Sequence, residues 1–250
     1  MIWWRGQGVW VLLLAVALAA LPACAETQAR ADVAEPATPP SGPFAAAPGD
    51  TAGPPSASVF VGCGFLLIEN HGRTTFTVLL RGEHVVQLPL QDQTVFDLDE
   101  VLVETTTASA ELIGAPAARG EELLRRHMEW EAEWTARQHG WTGFRPTGAP
   151  LDLGTGIPAM LWGYDTPTPL NVMGQSVTGV MYLTAAVDDV VFVLSAPLRA
   201  GDDPARVGRK LRDDVRTLRK SPSPVDPVAF SRQLQAAPQP WDGCRNGGRR

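Results

Sequence analysis

The segment at residues 26–58 limits what this chain can fold into, because it cannot build a packed core. Ala, Pro, Gly and Ser supply 22 of its 33 residues, and Val33 and Phe44 are its only larger apolar side chains. Such a composition buries too little surface to offset the entropy lost on ordering. Proline favours extended backbone. We therefore expect a disordered, semi-extended tether, assigned to residues 24–58, ahead of any folded domain.

A targeting signal precedes the tether. The run from Val9 to Leu21 holds 13 consecutive apolar residues, and Arg5 is the only charged residue before Glu26. That length is typical of the apolar region of a signal peptide, and it is shorter than the roughly 20 residues of a membrane-spanning helix. Residues 1–23 are therefore predicted to be a signal peptide.

Two processing routes fit the end of this signal. The sequence Leu-Pro-Ala-Cys at residues 21–24 resembles the lipobox of bacterial lipoproteins, in which cleavage leaves Cys24 as the first residue, carrying diacylglycerol and so palmitate-type chains. The sequence Ala-Cys-Ala at residues 23–25 also fits ordinary signal peptidase, with cleavage before Glu26. A cysteine placed directly after the apolar run favours lipidation at Cys24, and two or more chains anchor a protein firmly.

The predicted location follows from the same residues. The lipoprotein resemblance implies a membrane anchor on the outside of the cytoplasmic membrane, and Ala25, rather than Asp, after Cys24 favours the outer membrane. Cleavage before Glu26 would instead give a soluble periplasmic or secreted protein. Both locations are extracytoplasmic and permit disulfide bonds.

Residues 59–220 are predicted to be one folded domain, because apolar, β-branched and aromatic residues become frequent after the tether. Strands are predicted at residues 60–69, 75–80, 84–90, 95–98, 101–107, 157–164, 176–187 and 190–196, and a tight hairpin at Asp188-Asp189. Helices are predicted at residues 117–139 and from Pro204, behind an Asp203 cap. Residues 221–250 are predicted to be a loosely held, Pro-rich tail.

This order of elements predicts an α+β fold in which two main helices pack an antiparallel sheet. The closing strand at residues 190–197 and the helix from Asp203 resemble the end of Mog1/PsbP/DcrB-like domains, and the earlier elements follow in the same order. The resemblance implies an αβα sandwich in a superfamily used largely for binding other proteins. It carries no catalytic residue, and fold alone does not define function.

Cys63 and Cys244 remain after Cys24 and are predicted to form a disulfide outside the cytoplasm. The bond would close a loop of about 180 residues, for which the chain-entropy treatment gives about 5 kcal/mol. The alternative is two unpaired thiols. Their spacing lacks the Cys-x-x-Cys pattern of zinc sites, so no metal is expected there.

Six aromatic residues fall between residues 130 and 164. Helical spacing assigns Trp130 and Trp134 to the core. Trp141 and Phe144 lie in a Gly-rich segment, and together with Trp162 they are the predicted binding edge.

No enzymatic activity is predicted. The net charge of −6 argues against nucleic-acid binding. The chain contains no serine-hydrolase elbow and no phosphate-binding loop, so no cofactor is expected. His127 and Glu131 have the i, i+4 spacing of half a metal site, but His127 shares the apolar stripe of its helix, which favours a core histidine.

These features favour a lipid-anchored, non-enzymatic module of the bacterial cell envelope that binds an unknown envelope protein and reaches the membrane through its N-terminal lipid. One alternative is a periplasmic or secreted binding protein for a small lipid or glycan, with an apolar pocket beside Trp141 and Trp162. An enzyme with an unrecognised site is the other, and it requires titratable groups that converge in a cleft.

Overall fold

A computed structural model describes residues 56–61, 64–88, 94–172 and 174–236. The predicted signal peptide, Cys24, the tether up to residue 55, and both Cys63 and Cys244 lie outside the described residues, as does the tail after residue 236. Within the described ranges, no helix is long and apolar enough to cross a membrane.

The described residues form eleven strands and three helices. In order, the elements are β1 (Ala57–Val61), β2 (Gly64–His71), β3 (Thr74–Arg81), β4 (Val85–Leu88), β5 (Thr94–Leu98), β6 (Val101–Ser109), α1 (Gly120–His139), β7 (Thr147–Leu151), β8 (Ala159–Val172), β9 (Gln175–Val187), β10 (Val190–Arg199), α2 (Pro204–Val215), β11 (Arg219–Ser221) and α3 (Pro227–Ala236).

The strands form two antiparallel sheets. The larger sheet has seven strands in the order β4-β5-β6-β10-β9-β8-β7, and the smaller has four in the order β1-β2-β3-β11. The α+β prediction with antiparallel pairing is therefore confirmed. The second sheet was not predicted, because each strand signal is local and does not say which sheet a strand joins.

Both faces of the seven-stranded sheet are covered. Helix α1 packs on one face, over an apolar cluster that includes Leu123 and Leu124. The opposite face packs against α2 and the inner face of the smaller sheet, and this forms the largest core cluster. Helix α3 lies on the outer face of the smaller sheet, where Phe230 contacts the cluster of Leu66, Ile68 and Leu79.

The hairpin and the second long helix agree with their predictions. Asp188 adopts a left-handed φ of 54°, and Val187 pairs with Val190, so β9 and β10 are joined by two residues. Asp203 caps α2 by accepting a hydrogen bond from the backbone N–H of Ala205 at 2.9 Å.

Several element boundaries differ from the predictions. The segment predicted as one strand at residues 60–69 belongs to two strands, β1 and β2, which pair antiparallel with Val61 opposite Gly64. Strand β8 continues beyond residue 164, its predicted end, through Pro167 and Pro169, and the register shift between Asp165 and Leu170 accommodates these prolines. Strand β7 lies where no strand was predicted, at a sheet edge where Pro150 is tolerated.

The C-terminal segment is more ordered than predicted up to residue 236. Asn70 holds the start of this segment through two hydrogen bonds with the backbone of Val225, at 3.0 and 3.2 Å. Helix α3 then follows, with Pro227 at its start and Phe230 packed on the smaller sheet. The prediction of a loosely held tail from Ser221 is therefore wrong up to residue 236, because the partly buried Phe230 and the hydrogen bonds of Asn70 hold this segment on the smaller sheet.

Candidate functional site beneath helix α1

Four side chains form a row across the seven-stranded sheet. Ser195 pairs with Glu104 on one side and with Tyr182 on the other, and Tyr182 pairs with Trp162. Residues paired across neighbouring strands point to the same face of a sheet. Because Trp162 and Tyr182 belong to the cluster that includes α1 residues, this row lies beneath α1.

Helix α1 covers the row with polar side chains. His127, Glu131 and Thr135 recur every four residues, so they lie on one helix face. All three are at most 2% exposed. The i, i+4 pattern that suggested half a metal site therefore faces the sheet rather than solvent.

Aromatic stacking fixes the row on the sheet. The rings of Trp162 and Tyr182 are parallel, with centroids 3.9 Å apart and an interplanar angle of 3°. The Tyr164 hydroxyl lies 3.3 Å from the Tyr182 hydroxyl, within hydrogen-bond distance. His127 approaches Trp162 edge-on, at a centroid distance of 6.3 Å.

Five buried polar atoms in this interface have no hydrogen-bond partner among the residues that the structure describes. They come from both sides of the interface: Glu104 Oε1, His127 Nδ1, Glu131 Oε1, Thr135 Oγ1 and Trp162 Nε1. A buried polar atom left unpaired costs about 1–3 kcal/mol, more when charged. Such a concentration of unpaired groups in one interface is a feature that core packing alone does not favour.

Burial sets the protonation of the two acids. Loss of hydration, with a smaller contribution from the nearby Glu131 carboxylate, raises the pKa of Glu104 to about 8. Burial likewise raises the pKa of Glu131 to about 8, against a smaller opposing effect of a hydrogen bond with Tyr182. No lysine or arginine of the described residues offsets either charge.

The remaining titratable groups of the cluster are also shifted toward their neutral forms. Burial lowers the pKa of His127 to about 4 and raises the pKa of Tyr164 to about 12. The pKa of Tyr182 is raised well above its ordinary value, first by burial and then by the neighbouring Tyr164 and the two acids. At neutral pH the cluster is therefore predominantly protonated on its acids and uncharged.

A metal ion does not fit this arrangement as it stands. In the described part of the chain, no group of three or more His, Cys, Asp or Glu side chains is placed to hold one. His127 is a core residue, as its position in the apolar stripe indicated, but one of its ring nitrogens lacks a partner.

The predicted binding edge is divided by the structure. Trp141 and Phe144 are half-buried, 5.5 Å apart, and both pack on the edge of Tyr164. Trp162 is only 2% exposed, so its assignment to an exposed edge is wrong. Its place in β8, directly opposite Tyr182, turns the indole beneath α1. Stacked rings therefore fill the position where a small-ligand pocket was expected.

Sequence reasoning missed Glu104 and Tyr182 as members of the cluster. Glu104 lies in the run Val-Glu-Thr-Thr-Thr of β6, which resembles the half-exposed face of an edge strand. Strand β6 instead lies inside the sheet, between β5 and β10, with both faces covered. The one sequence signal was a glutamate in the middle of a predicted strand. It indicates a buried acid only once the strand is known to lie inside the sheet.

The solvent side of α1 borders a groove of about 600 Å³. The segment at residues 113–118 forms one wall, and α1 forms the other with Trp130 and charged side chains. The charged rim comprises Glu122, Arg126, Glu129 and Glu133.

Comparisons with known proteins give a resemblance at the level of fold only. No known protein-family profile matches this chain, and no curated protein matches it significantly. Among solved structures, the cyanobacterial PsbP (CyanoP) of Synechocystis sp. PCC 6803 is similar at 9% sequence identity and a TM-score of 0.35. The alignment covers 58% of this chain and 86% of that protein. This is a weak resemblance in fold.

Proposed function

We propose that this protein is a lipid-anchored, extracytoplasmic, non-enzymatic interaction module of the bacterial cell envelope, and that the groove beside α1 binds a segment of another envelope protein. The groove is the observation that carries the proposal. Its wall presents the half-buried Trp130 indole, and its rim carries one basic side chain, Arg126, among three acidic ones. Tryptophan and arginine are enriched where proteins contact each other.

The charged side chains on the rim of the groove indicate what kind of segment would fit it. Arg126, Glu129 and Glu133 keep 52%, 44% and 72% of their side chains exposed, so they remain accessible at the mouth. A segment that fits would place an apolar side chain on Trp130 and carry charges of both signs on either side of it. The buried cluster beneath α1 lies on the opposite face of the helix and is not part of this surface.

Site-specific photo-crosslinking tests the groove. Ala117 lines it and is exposed, so Ala117→p-benzoylphenylalanine places a crosslinker at its wall. We expect one identified envelope protein to be captured from intact cells, through one short segment located by peptide mass spectrometry. The charge reversal Arg126→Glu in the same protein should reduce capture about tenfold or more, the loss expected when a paired interface charge is reversed.

The matched control places the same crosslinker on α2, as Arg209→p-benzoylphenylalanine, where the side chain is 65% exposed. Equal capture of the same protein from both positions, or capture unaffected by Arg126→Glu, would contradict a docking groove.

The anchor is tested separately by the non-reduced intact mass of the mature protein, made in a bacterium that processes lipoproteins. We expect a chain that starts at Cys24, carries the added diacylglyceryl mass, and lacks two protons through a Cys63–Cys244 bond. Cys24→Ser is the matched control and should remove the added lipid mass. A wild-type chain that starts at Glu26 without lipid would overturn the anchor and favour the soluble periplasmic or secreted alternative.

A further inference from the structure

Three strands and helix α1 direct titratable groups into the buried cluster, and β10 contributes only Ser195 and apolar side chains. Strand β6 contributes Glu104, β8 contributes Tyr164, β9 contributes Tyr182, and α1 contributes His127 and Glu131. Just beyond α1, His139 stacks on Trp141 with a centroid distance of 4.6 Å and borders this region from outside. In the described residues, no arginine or lysine faces the two acids.

Helix α1 is bounded by glycine at both ends. It starts at Gly120 with φ of 56° and is followed by Gly140 with φ of 64°, both in the left-handed region that glycine adopts without strain. Its outer face carries ion pairs within the helix, such as Arg125 with Glu122 at 2.6 Å. These contacts would travel with the helix, so the interface beneath α1 decides whether it stays in place.

We propose that α1 is a proton-controlled clamp, which stays seated on the sheet while Glu104 and Glu131 each hold a proton and loosens when rising pH removes those protons. The inference is independent of what the groove binds.

The physical reason is the cost of charge in a sealed interface. Glu104 and Glu131 approach each other from opposite sides, and their ionisation would place two like charges where hydration is lost. The Oε1 atoms of both acids accept no hydrogen bond from the described residues, so this arrangement does not stabilise a charge there. Lifting α1 restores water to both groups, so ionisation favours the loosened state.

The expected pH range is set by the two acids. Their pKa values near 8 in the seated state, against 4.5 when hydrated, mean that the seated state loses stability as pH rises toward 8. His127 has a pKa near 4 and remains neutral throughout this range, and Tyr164 titrates only near 12. Loosening of α1 between pH 6.5 and 8.5 would therefore result from ionisation of Glu104 and Glu131.

Hydrogen–deuterium exchange of the folded protein tests the clamp. With rates corrected for the intrinsic effect of pH, we expect protection of the α1 amides to fall about tenfold or more between pH 6.5 and 8.5. Protection in α2 and β3, on the other side of the sheet, should change much less. In the double variant Glu104→Gln/Glu131→Gln, α1 protection should stay constant with pH to within about twofold.

The matched control is Glu121→Gln, which removes an exposed carboxylate from the first turn of the same helix, outside the groove, and should leave the wild-type pH response intact. Constant protection of wild-type α1 across this range would overturn the clamp, and so would an unchanged fall in the double variant. If the double variant does not fold, Glu131→Gln alone serves, and it should reduce the fall to about that of a single acid.

Discussion

Trp162→Ala should lower the free energy of unfolding by about 3–5 kcal/mol, the usual cost of truncating a large buried aromatic side chain. Trp162 is 2% exposed and stacks on Tyr182 at 3.9 Å, so the substitution leaves a cavity between the sheet and α1. The measurement is equilibrium urea unfolding, followed by far-ultraviolet circular dichroism because the substitution also removes a fluorophore.

Trp162→Phe is the matched control. It keeps an aromatic ring against Tyr182 and removes Nε1, a donor that has no partner among the described residues. Since no hydrogen bond is lost, we expect a cost of about 1–2 kcal/mol, from volume alone. A loss below about 1 kcal/mol for Trp162→Ala would contradict a packed core beneath α1 and restore the small-ligand pocket as an alternative.

The free energy of unfolding should fall as pH rises from about 6.5 to 8. In this range, the folded state holds protons on Glu104 and Glu131 that the unfolded state has already released. Each acid lowers the free energy of unfolding by up to about 1.4 kcal/mol per pH unit, so we expect a total loss of at least about 2 kcal/mol. Urea unfolding at half-unit pH steps measures it.

Two other buried groups act only at lower pH. His127, with its pKa lowered to about 4, makes stability rise with pH up to about 6.5 and partly offsets the acids there. Asp214 on α2 has its pKa raised by burial to about 6, so its own destabilising effect is complete near pH 6. The variant Glu104→Gln/Glu131→Gln should therefore have a flat profile above pH 6.5, and a variant slope equal to the wild-type slope would contradict this assignment.

The elements that could be predicted from the sequence are those with strong local sequence signals. Helix α1, the β9–β10 hairpin and the Asp203 cap each have a distinctive periodicity, turn pair or capping residue, and each was predicted to within a few residues. Strand β11 and helix α3 depend on contacts with distant strands; β11 was not predicted, and the Pro-rich segment that contains α3 was predicted to be a loose tail. The spacing of His127 and Glu131 on one helix face could be read from the sequence. The position of Glu104 beneath that face could not, because it depends on how β6 pairs with β10.

Aromatic residues gave the least specific signal. Trp141, Phe144 and Trp162 are close in sequence and were assigned to one edge, but they occupy two environments. The alternation of β8 buries Trp162 and Tyr164 on the same face, while the segment after α1 leaves the other two at the margin. Sequence proximity in a turn-rich segment carries little information about depth, because depth is set by strands that lie elsewhere in the chain.

The smaller sheet has a consequence for the moment at which the domain can close. Its last strand, β11, pairs with β3, and the nearby Thr217 hydroxyl accepts a hydrogen bond from the Leu79 backbone N–H across 138 positions. A chain that emerges N-terminus first, from a ribosome or through a translocation channel, must therefore leave β3 without its partner until nearly all of the domain has emerged. Strands β1 to β3 emerge early, but the smaller sheet is complete only when β11 has emerged. Until then, the unpaired edge of β3 would make the emerging domain a substrate for chaperones.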